Sequence, residues 1–224
     1  MRVAVLSDIH GNLTAFEAVL ADLRLVSPDL VLHGGDLADS GSSLIEIVDR
    51  IRDLGWQGVM GNADEMLVRP NSLEDFARQS SAPPSLWAAL REIAAVTRSL
   101  LDGERLAWLR QLPNAIAQLG FALVHATPES CWKVPAPDAT DSELDGMYGS
   151  LGKPIVIYGH THCPEIRRMS GSVRLLINTG SVGMPLDDDP RASYLVLDDG
   201  MPCSGLPGAE WTRKILRSSS PQMP

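Results

Sequence analysis

The chain has 224 residues and a formal net charge of −9, with an isoelectric point of about 5.0. This acidity argues against a broad basic face for extended nucleic acid, which needs clustered Lys and Arg side chains. The length suits one large α/β domain, whose core is sufficient for folding without a disulfide or a metal.

Cysteine usage and the N-terminus indicate the compartment. Cys131, Cys163 and Cys203 show no C-x-x-C spacing, so we expect no disulfide framework. The N-terminal run MRVAVLSD is too short for the core of a signal peptide. No segment reaches the ~20 apolar residues of a membrane span. We therefore expect a soluble, cytoplasmic protein with no membrane partner.

The first sixty residues alternate between two patterns. Apolar, β-branched runs predict strands at 2–7, 29–35 and 56–62, and helical apolar spacing predicts helices at 13–26 and 42–54. This alternation predicts right-handed βαβ units and a parallel sheet.

Residues 65–112 differ, because helical patterns at 86–100 and 103–112 predict an all-helical insertion on the sheet. A hairpin at 115–126, a loop at 127–140 and a short helix near 141–149 should follow. Further strands are predicted at 154–160, 173–180, 192–199 and 210–217. We expect one domain over residues 1–217 and a disordered tail at 218–224.

Five polar side chains lie at the C-terminal ends of predicted strands: Asp8, Asp36, Asn62, His125 and His160. Ligands in open α/β sheets bind at this edge, so we expect these groups to meet. His10 and His162 add two more donors. Seven ligands exceed the needs of one ion with an open position and suit two ions that share a carboxylate. Imidazole with carboxylate favours Zn, Mn, Fe or Ni over Ca or Mg.

The same residues form ordered blocks: D-x-H at 8–10, G-D at 35–36, G-N at 61–62, His125, and G-H-x-H at 159–162. In this order they resemble the calcineurin-like metallophosphoesterase superfamily. The segments NTGSVG at 178–183 and DDDPRASY at 187–194 are similar to its small bacterial and archaeal, phosphodiesterase-like branch. The resemblance implies an α/β fold, a four-layer α/β/β/α sandwich with two β-sheets.

The resemblance also implies a ligand set. One metal would be held by Asp8, His10, Asp36 and His162, and the other by Asp36, Asn62, His125 and His160, with Asp36 bridging. Gly159 should let the backbone turn closely enough for both histidines of its loop to point inward. The catalytic residues would be His10, Asp36, Asn62 and His125, around a metal-bound hydroxide that attacks phosphorus. Two divalent ions are expected, with Mn²⁺ first and Fe, Zn, Ni or Co as alternatives.

The expected activity is hydrolysis of a small phosphate ester, for which a nucleotide is one option. Diesters, monoesters and polyphosphates or phosphoproteins all stay open, as does an oligomer. Residues 65–112, which should line one wall above the metals, and the loop at 127–140 are expected to decide among them. The alternative is a non-catalytic scaffold of the same fold that binds partner proteins, and the complete ligand set favours the enzyme.

One block departs from the family pattern. Many relatives read G-N-H-[DE], and that histidine would protonate the leaving oxygen, whereas this chain has Ala63 there. Six other residues each have two open interpretations. Asp8 could be a ligand or cap the first helix, and His33 could be a ligand or a strand residue bonded to the backbone. Asn178 could orient a ligand histidine or be an ordinary turn asparagine, and Asp64 could bond a ligand or cap a helix. Trp132 could stack on substrate or cover a helix, and Arg191 could reach a phosphate or form a surface ion pair.

Overall fold

The computed structural model describes residues 1–118, 120–198, 201–202 and 212–215. The expected tail at 218–224 and Cys203 lie outside these residues. The strands are β1 Arg2–Leu6, β2 Leu30–His33, β3 Gln57–Gly58, β4 Ala115–Gln118, β5 Phe121–Val124, β6 Ile155–Tyr158, β7 Glu165–Arg168, β8 Leu175–Asn178, β9 Ala192–Asp198, β10 Met201–Pro202 and β11 Thr212–Ile215. The helices are α1 Leu13–Val26, α2 Leu44–Asp53, α3 Asn62–Val68, α4 Asn71–Ala77, α5 Pro84–Leu100, α6 Gly103–Leu109 and α7 Asp141–Tyr148, followed by a 3₁₀ turn at Gly149–Leu151.

The first sheet contains the predicted βαβ units. Its order is β10-β9-β1-β2-β3, and β11 also pairs with β9. The pairs β1–β2 and β2–β3 are parallel, as the alternation of strands and helices predicted. β9 joins β1 in the antiparallel direction, so the sheet is mixed.

The second sheet has the order β4-β5-β6-β8-β7. The predicted hairpin is confirmed, because β4 pairs antiparallel with β5. The sequence analysis missed β7, which pairs antiparallel with β8 at the edge of the sheet. Its sequence EIRR is partly exposed and polar, so it lacks the apolar alternation from which strands are recognised.

The two sheets pack face to face, and helices cover both outer faces. The inner layer holds Val3, Val5 and Leu32 from the first sheet and Phe121, Leu123, Ile155 and Ile157 from the second. Helices α1–α3 and α5 cover the first sheet, and α7 covers the second with Leu144 and Tyr148. The fold is therefore the four-layer α/β/β/α sandwich that the resemblance implied. Among the described helices, none has the length and apolar character needed to cross a bilayer.

The helical region starts earlier than expected, and the third strand is correspondingly short. β3 contains only two residues, and α3 begins at Asn62 itself. The chain turns there because the Asp64 carboxylate accepts the backbone N–H of Gly61 at 3.1 Å and so caps α3. Apolar Val59 and Met60 suggested a longer strand, but the Met60 N–H bonds the Pro113 carbonyl outside the sheet.

His33 is fully buried in β2, and its environment differs from the expected one. Neither ring nitrogen has a hydrogen-bond partner in the described part of the chain. A Cβ at Gly58 would lie 2.3 Å from the His33 ring, so glycine there makes room for the imidazole. Burial lowers the pKa of His33 to about 3, so the ring is neutral.

This histidine should make stability depend on pH. Above an unfolded pKa of ~6.5 both states are neutral, and below it only the unfolded chain gains a proton, so stability falls as the pH falls. Between pH 7.5 and 5.5 the loss should be about 1.3 kcal/mol in the free energy of unfolding. Urea unfolding with a chelator present should show this effect as a difference: the free energy of unfolding of the wild type, measured relative to that of His33→Leu, should fall by this amount between the two pH values. Identical pH dependence in the two proteins would contradict it.

Candidate metal centre

Three separate chain segments bring four ligands to one point. The loop after β1 supplies Asp8 and His10, the loop after β2 supplies Asp36, and the loop after β6 supplies His162. Their ligand atoms all lie within 4.8 Å of one another. His162 Nε2 is 3.1 Å from His10 Nε2 and 3.2 Å from Asp8 Oδ1. We call this group the first cluster.

A second cluster lies beside it and contains Asp36, His125 and His160. The side-chain oxygen of Asn62 also belongs to this group, since Asn62 Oδ1 lies 2.9 Å from His125 Nε2 and 2.7 Å from His160 Nδ1. The structure thus brings together all seven residues that the sequence pattern selected. His33 is in neither cluster.

Asp36 is the residue that the two clusters share. Its Oδ2 atom lies 3.7 Å from His10 Nε2 and 3.5 Å from His125 Nε2. Its Oδ1 atom accepts the Ala63 N–H at 2.8 Å, which fixes the carboxylate plane. One oxygen therefore faces both clusters while the other is held by the backbone.

The outer nitrogens of three histidines are engaged by the protein. His125 Nδ1 donates to the Gly34 carbonyl at 2.7 Å and His162 Nδ1 to the Met184 carbonyl at 2.6 Å. His10 Nδ1 hydrogen-bonds the buried Asp39 carboxylate. Since Nδ1 carries the proton, Nε2 presents a lone pair to the cluster, as in metal-bound histidines.

Asp39 is a candidate positioning residue that the sequence analysis missed. It stands three residues after Asp36, and its other oxygen accepts the Ser40 hydroxyl at 2.8 Å. A polar residue in a short loop after a ligand is the only signal the sequence offers. The pairing with His10 depends on tertiary contact and has no local pattern.

Five of the candidate ligands have left-handed backbone conformations. The φ angles are +58° at Asp8, +49° at His10, +54° at Asp36, +66° at His160 and +59° at His162. Such conformations cost about 1–3 kcal/mol per non-glycine residue and concentrate at functional sites. The fold therefore holds these side chains in place at the expense of local backbone stability.

Glycine precedes three of the ligands because strand ends approach closely there. A Cβ at Gly35 would lie 2.4 Å from the Gly61 nitrogen. A Cβ at Gly159 would lie 2.5 Å from Asp8 Oδ2, and the next N–H, of His160, bonds that same oxygen at 3.1 Å. The expected role of Gly159 in a close approach is thus explained by its contact with the end of β1.

The donor set fits a cation. Asp8 Oδ1 is buried without a hydrogen-bond partner among the described residues, although it faces imidazole nitrogens. The Nε2 atoms of His10 and His162 also face each other, 3.1 Å apart. Oxygen and nitrogen donors converging in this way repel one another unless a positive charge lies between them, which matches the imidazole and carboxylate ligands of transition metals.

The electric field within the site also favours a bound cation. Burial disfavours an imidazolium, yet carboxylates led by Asp39 raise the pKa of His10 to about 9. Burial likewise opposes protonation of His125, but carboxylates led by Asp36 raise its pKa to about 10. The negative field that stabilises a proton here also attracts a divalent cation, which binds neutral imidazole and displaces that proton.

The structure resolves the remaining interpretations. Asn12 caps α1 by accepting the Ala15 N–H at 3.1 Å, so Asp8 is not the cap. Asn178 holds the histidine loop, since its Nδ2 donates to the Gly159 carbonyl at 2.7 Å. Asp64 accepts the backbone N–H groups of Gly61 and of the loop after β2, and bonds no ligand side chain.

Two candidate substrate contacts have partners within the protein. Trp132 is buried and packs against Phe76 of α4 with ring centroids 5.2 Å apart, so it covers a helix. Arg191 pairs with Asp189 at 2.7 Å. Ala63 is buried beside Asn62, and its methyl group supplies no proton donor.

Comparison with known proteins places the chain in a family. The model of the calcineurin-like phosphoesterase superfamily domain matches residues 1–199. An uncharacterized protein of Methanocaldococcus jannaschii is 32% identical, with 88% of this chain and 82% of that protein covered. The UDP-2,3-diacylglucosamine hydrolase of Chromobacterium violaceum is 25% identical, with 77% and 63% covered.

A solved structure agrees with the sequence relatives. The crystal structure of a metallophosphoesterase from Sphaerobacter thermophilus superposes with a TM-score of 0.70 at 28% identity, covering 88% of this chain and 83% of that one. Its fold is the sandwich described above. With the matching family model, it shows that this chain belongs to the calcineurin-like phosphoesterase superfamily.

Proposed function

We propose that the protein is a hydrolase of small phosphate esters that uses two divalent metal ions. The observation that carries this proposal is the position of Asp36 Oδ2, which lies between both clusters of ligand atoms. A single carboxylate oxygen shared in this way fits a bridging ligand. Membership of a family of metal-dependent phosphoesterases and similarity to a named hydrolase support the activity.

The first cluster would hold one ion through Asp8, His10, Asp36 and His162. The second would hold another through Asp36, Asn62, His125 and His160. When bound, two such ions acidify water and stabilise the attacking and leaving oxygens of an in-line displacement. Mn²⁺ is the ion we expect, with Fe, Zn, Ni and Co as alternatives.

The chain itself contributes orientation. Asp39 holds the His10 ring, the Gly34 carbonyl holds His125, and the Ala63 N–H holds Asp36. These bonds preorganise the donor atoms, so little reorganisation is needed during the reaction. The two carboxylates do not neutralise two divalent ions, and the remaining positive charge would attract a phosphoryl group.

A non-catalytic scaffold is the second function class considered. Such a protein has no need for seven converging donors or for five ligands in costly backbone conformations. We therefore favour the enzyme. The proposal includes a cytoplasmic location, for which the argument is the cysteine spacing of the sequence.

The missing proton donor at Ala63 gives the experiment that tests this function. Metal-loaded protein should hydrolyse a series of aryl and alkyl phosphate esters, with rates that fall steeply as the leaving-group pKa rises. General acid catalysis contributes about 10²–10⁴-fold, mostly for basic leaving groups. Ala63→His should therefore flatten the slope of log rate against leaving-group pKa.

The possible results distinguish an error in the proposed function from an error in the role assigned to position 63. If the metal-loaded protein hydrolyses no ester of the series, the proposed function is wrong. A flat slope in the wild type, with the chemical step shown to limit the rate, would instead mean that another group donates the proton. Ala63→Ser is the matched control, because serine adds a polar hydroxyl group at the same position without a comparable acid.

A further inference from the structure

A cavity of about 740 Å³ lies between α4, α7 and the loop of residues 127–133. This volume falls within the range of ~300–1,000 Å³ typical of small-molecule sites. It is lined by side chains of both helices and the loop, and by Glu65 of α3. None of the seven candidate metal ligands lines it. We call it the α4–α7 cavity.

The cavity adjoins the second cluster. Thr127 lines it and is only two residues after His125, so their Cα atoms are at most ~7.6 Å apart. Glu65 lines it and follows Asn62 by three residues in α3, which places both side chains on one face of the helix. An ester whose phosphoryl group sits at the clusters can therefore extend into this cavity.

One wall of the cavity is fixed by Glu65. Its Oε2 atom accepts the Trp132 indole N–H at 2.7 Å and the Cys131 thiol at 3.3 Å. Burial, together with the nearby carboxylate, raises the pKa of Cys131 above its usual range, so the thiol keeps its proton and donates. Through these bonds, α3, which begins at Asn62, is tied to the loop that follows His125.

The lining has a distinct chemistry. Phe76 and Trp132 supply an aromatic wall, whereas four carboxylates and a single ammonium, that of Lys133, supply the charge. Two of the carboxylates are paired, Glu65 with Arg69 and Asp75 with Arg78. The charges that are left are the two carboxylates of Glu129 and Glu143 and the one ammonium of Lys133, so the lining has no excess positive charge to attract an anion.

We propose that the α4–α7 cavity binds the alcohol portion of the ester, and that this portion carries a ring and no negative charge of its own. The inference rests on the proposed function, and it disfavours dinucleoside polyphosphates, whose second phosphate would face the carboxylates. Glu65 acts as a positioning residue through Trp132, and Trp132 determines specificity for the ring.

The kinetic test uses three diesters that share the nitrophenolate leaving group, so that the bond broken is the same. Besides the shared nitrophenyl group, phenyl p-nitrophenyl phosphate has a second, uncharged ring, its 4-carboxyphenyl analogue has a charged second ring, and methyl p-nitrophenyl phosphate has no second ring. The phenyl ester should have a KM about tenfold lower than the methyl ester, since the cavity removes the apolar surface of the second ring from water. The KM of the carboxyphenyl ester should be close to that of the methyl ester.

Substitutions at Trp132 and Glu65 test whether these residues form the wall that contacts the ring. Trp132→Phe keeps an aromatic ring against Phe76 but removes the N–H, and should raise KM for the phenyl ester several-fold, a larger factor than for the methyl ester. Glu65→Gln retains an acceptor and should weaken discrimination against the carboxyphenyl ester. Trp56→Phe is a matched change at a partly buried tryptophan outside this cavity. It should change neither the KM for the phenyl ester nor the discrimination against the carboxyphenyl ester. Equal KM values for the three esters, or equal changes in all three with Trp132→Phe, would overturn the inference.

A binding measurement keeps the inference testable without catalysis. Chelated, ¹⁵N-labelled protein should show a shift of the Trp132 indole resonance, assigned by its loss in Trp132→Phe, when phenol is added. Benzoate at the same concentration should shift it less. If phenol moves the resonance but no ester is hydrolysed, the proposed function fails while the cavity still binds a ring. No shift with phenol would overturn the cavity inference itself.

Discussion

Replacing Asp36 with asparagine is expected to lower kcat/KM for phosphate-ester hydrolysis by at least about 100-fold, the upper range for disrupted metal-site residues. Asparagine keeps an oxygen that can accept the Ala63 N–H, so the loop after β2 should stay folded. It places an amide NH₂ where Oδ2 now faces both clusters. The bridging position is thereby lost without a change in side-chain size.

The control for this variant is His33→Leu. His33 is buried three residues earlier in the same segment but belongs to neither cluster. Its substitution should leave kcat/KM within about twofold at neutral pH, where the ring is already neutral. Kinetics should be measured together with metal content by elemental analysis, where Asp36→Asn should hold fewer ions. Equal losses of activity in the two variants would show that Asp36 has no special position.

Removing metal is expected to abolish hydrolysis, lowering the rate at least about 1,000-fold. Several kcal/mol of transition-state stabilisation come from such ions, and each 1.36 kcal/mol corresponds to a factor of ten. Purified protein should contain close to two transition-metal ions per chain, and Mn²⁺ added after chelation should restore the rate. Activity that persists in protein shown to be free of metal would contradict the proposal.

Chelation should also lower the melting temperature, because ligands that bind only the folded state stabilise it. Here the ions relieve repulsion among converging donors such as Asp8 Oδ1 and His162 Nε2, 3.2 Å apart. The shift should be smaller in Asp36→Asn, which has lost the shared ligand. An unchanged melting temperature in the wild type would argue that the clusters bind no metal in the folded protein.

The local sequence determined much of the fold because its elements have strong periodicity. The predicted bounds of α1, residues 13–26, coincide with the observed helix. Its buried face follows helical spacing through Phe16, Val19, Leu20 and Leu23. The β1 and β6 strands are apolar almost throughout, because sheets cover one face of each and helices the other.

The sequence also predicted the seven candidate donors, since each lies at or just after the end of a strand and parallel strands end at a common edge. It did not indicate how the donors are held. The bond from His10 to Asp39 and the placement of one Asp36 oxygen between two clusters join residues from separate loops. No periodic pattern records such contacts, because they depend on how loops pack after the sheets have formed.

Tertiary structure alone also decided the backbone and the surroundings of the site. Left-handed φ angles at Asp8 and His160 go against local preference, and only the surrounding packing and hydrogen bonds can maintain them. The α4–α7 cavity likewise forms where Glu65 meets Trp132, 67 positions further along the chain. The sequence therefore indicated which groups are candidates for the chemistry, because these follow from residue type and strand position. The space offered to a substrate depends on contacts between distant segments, which only the folded chain defines.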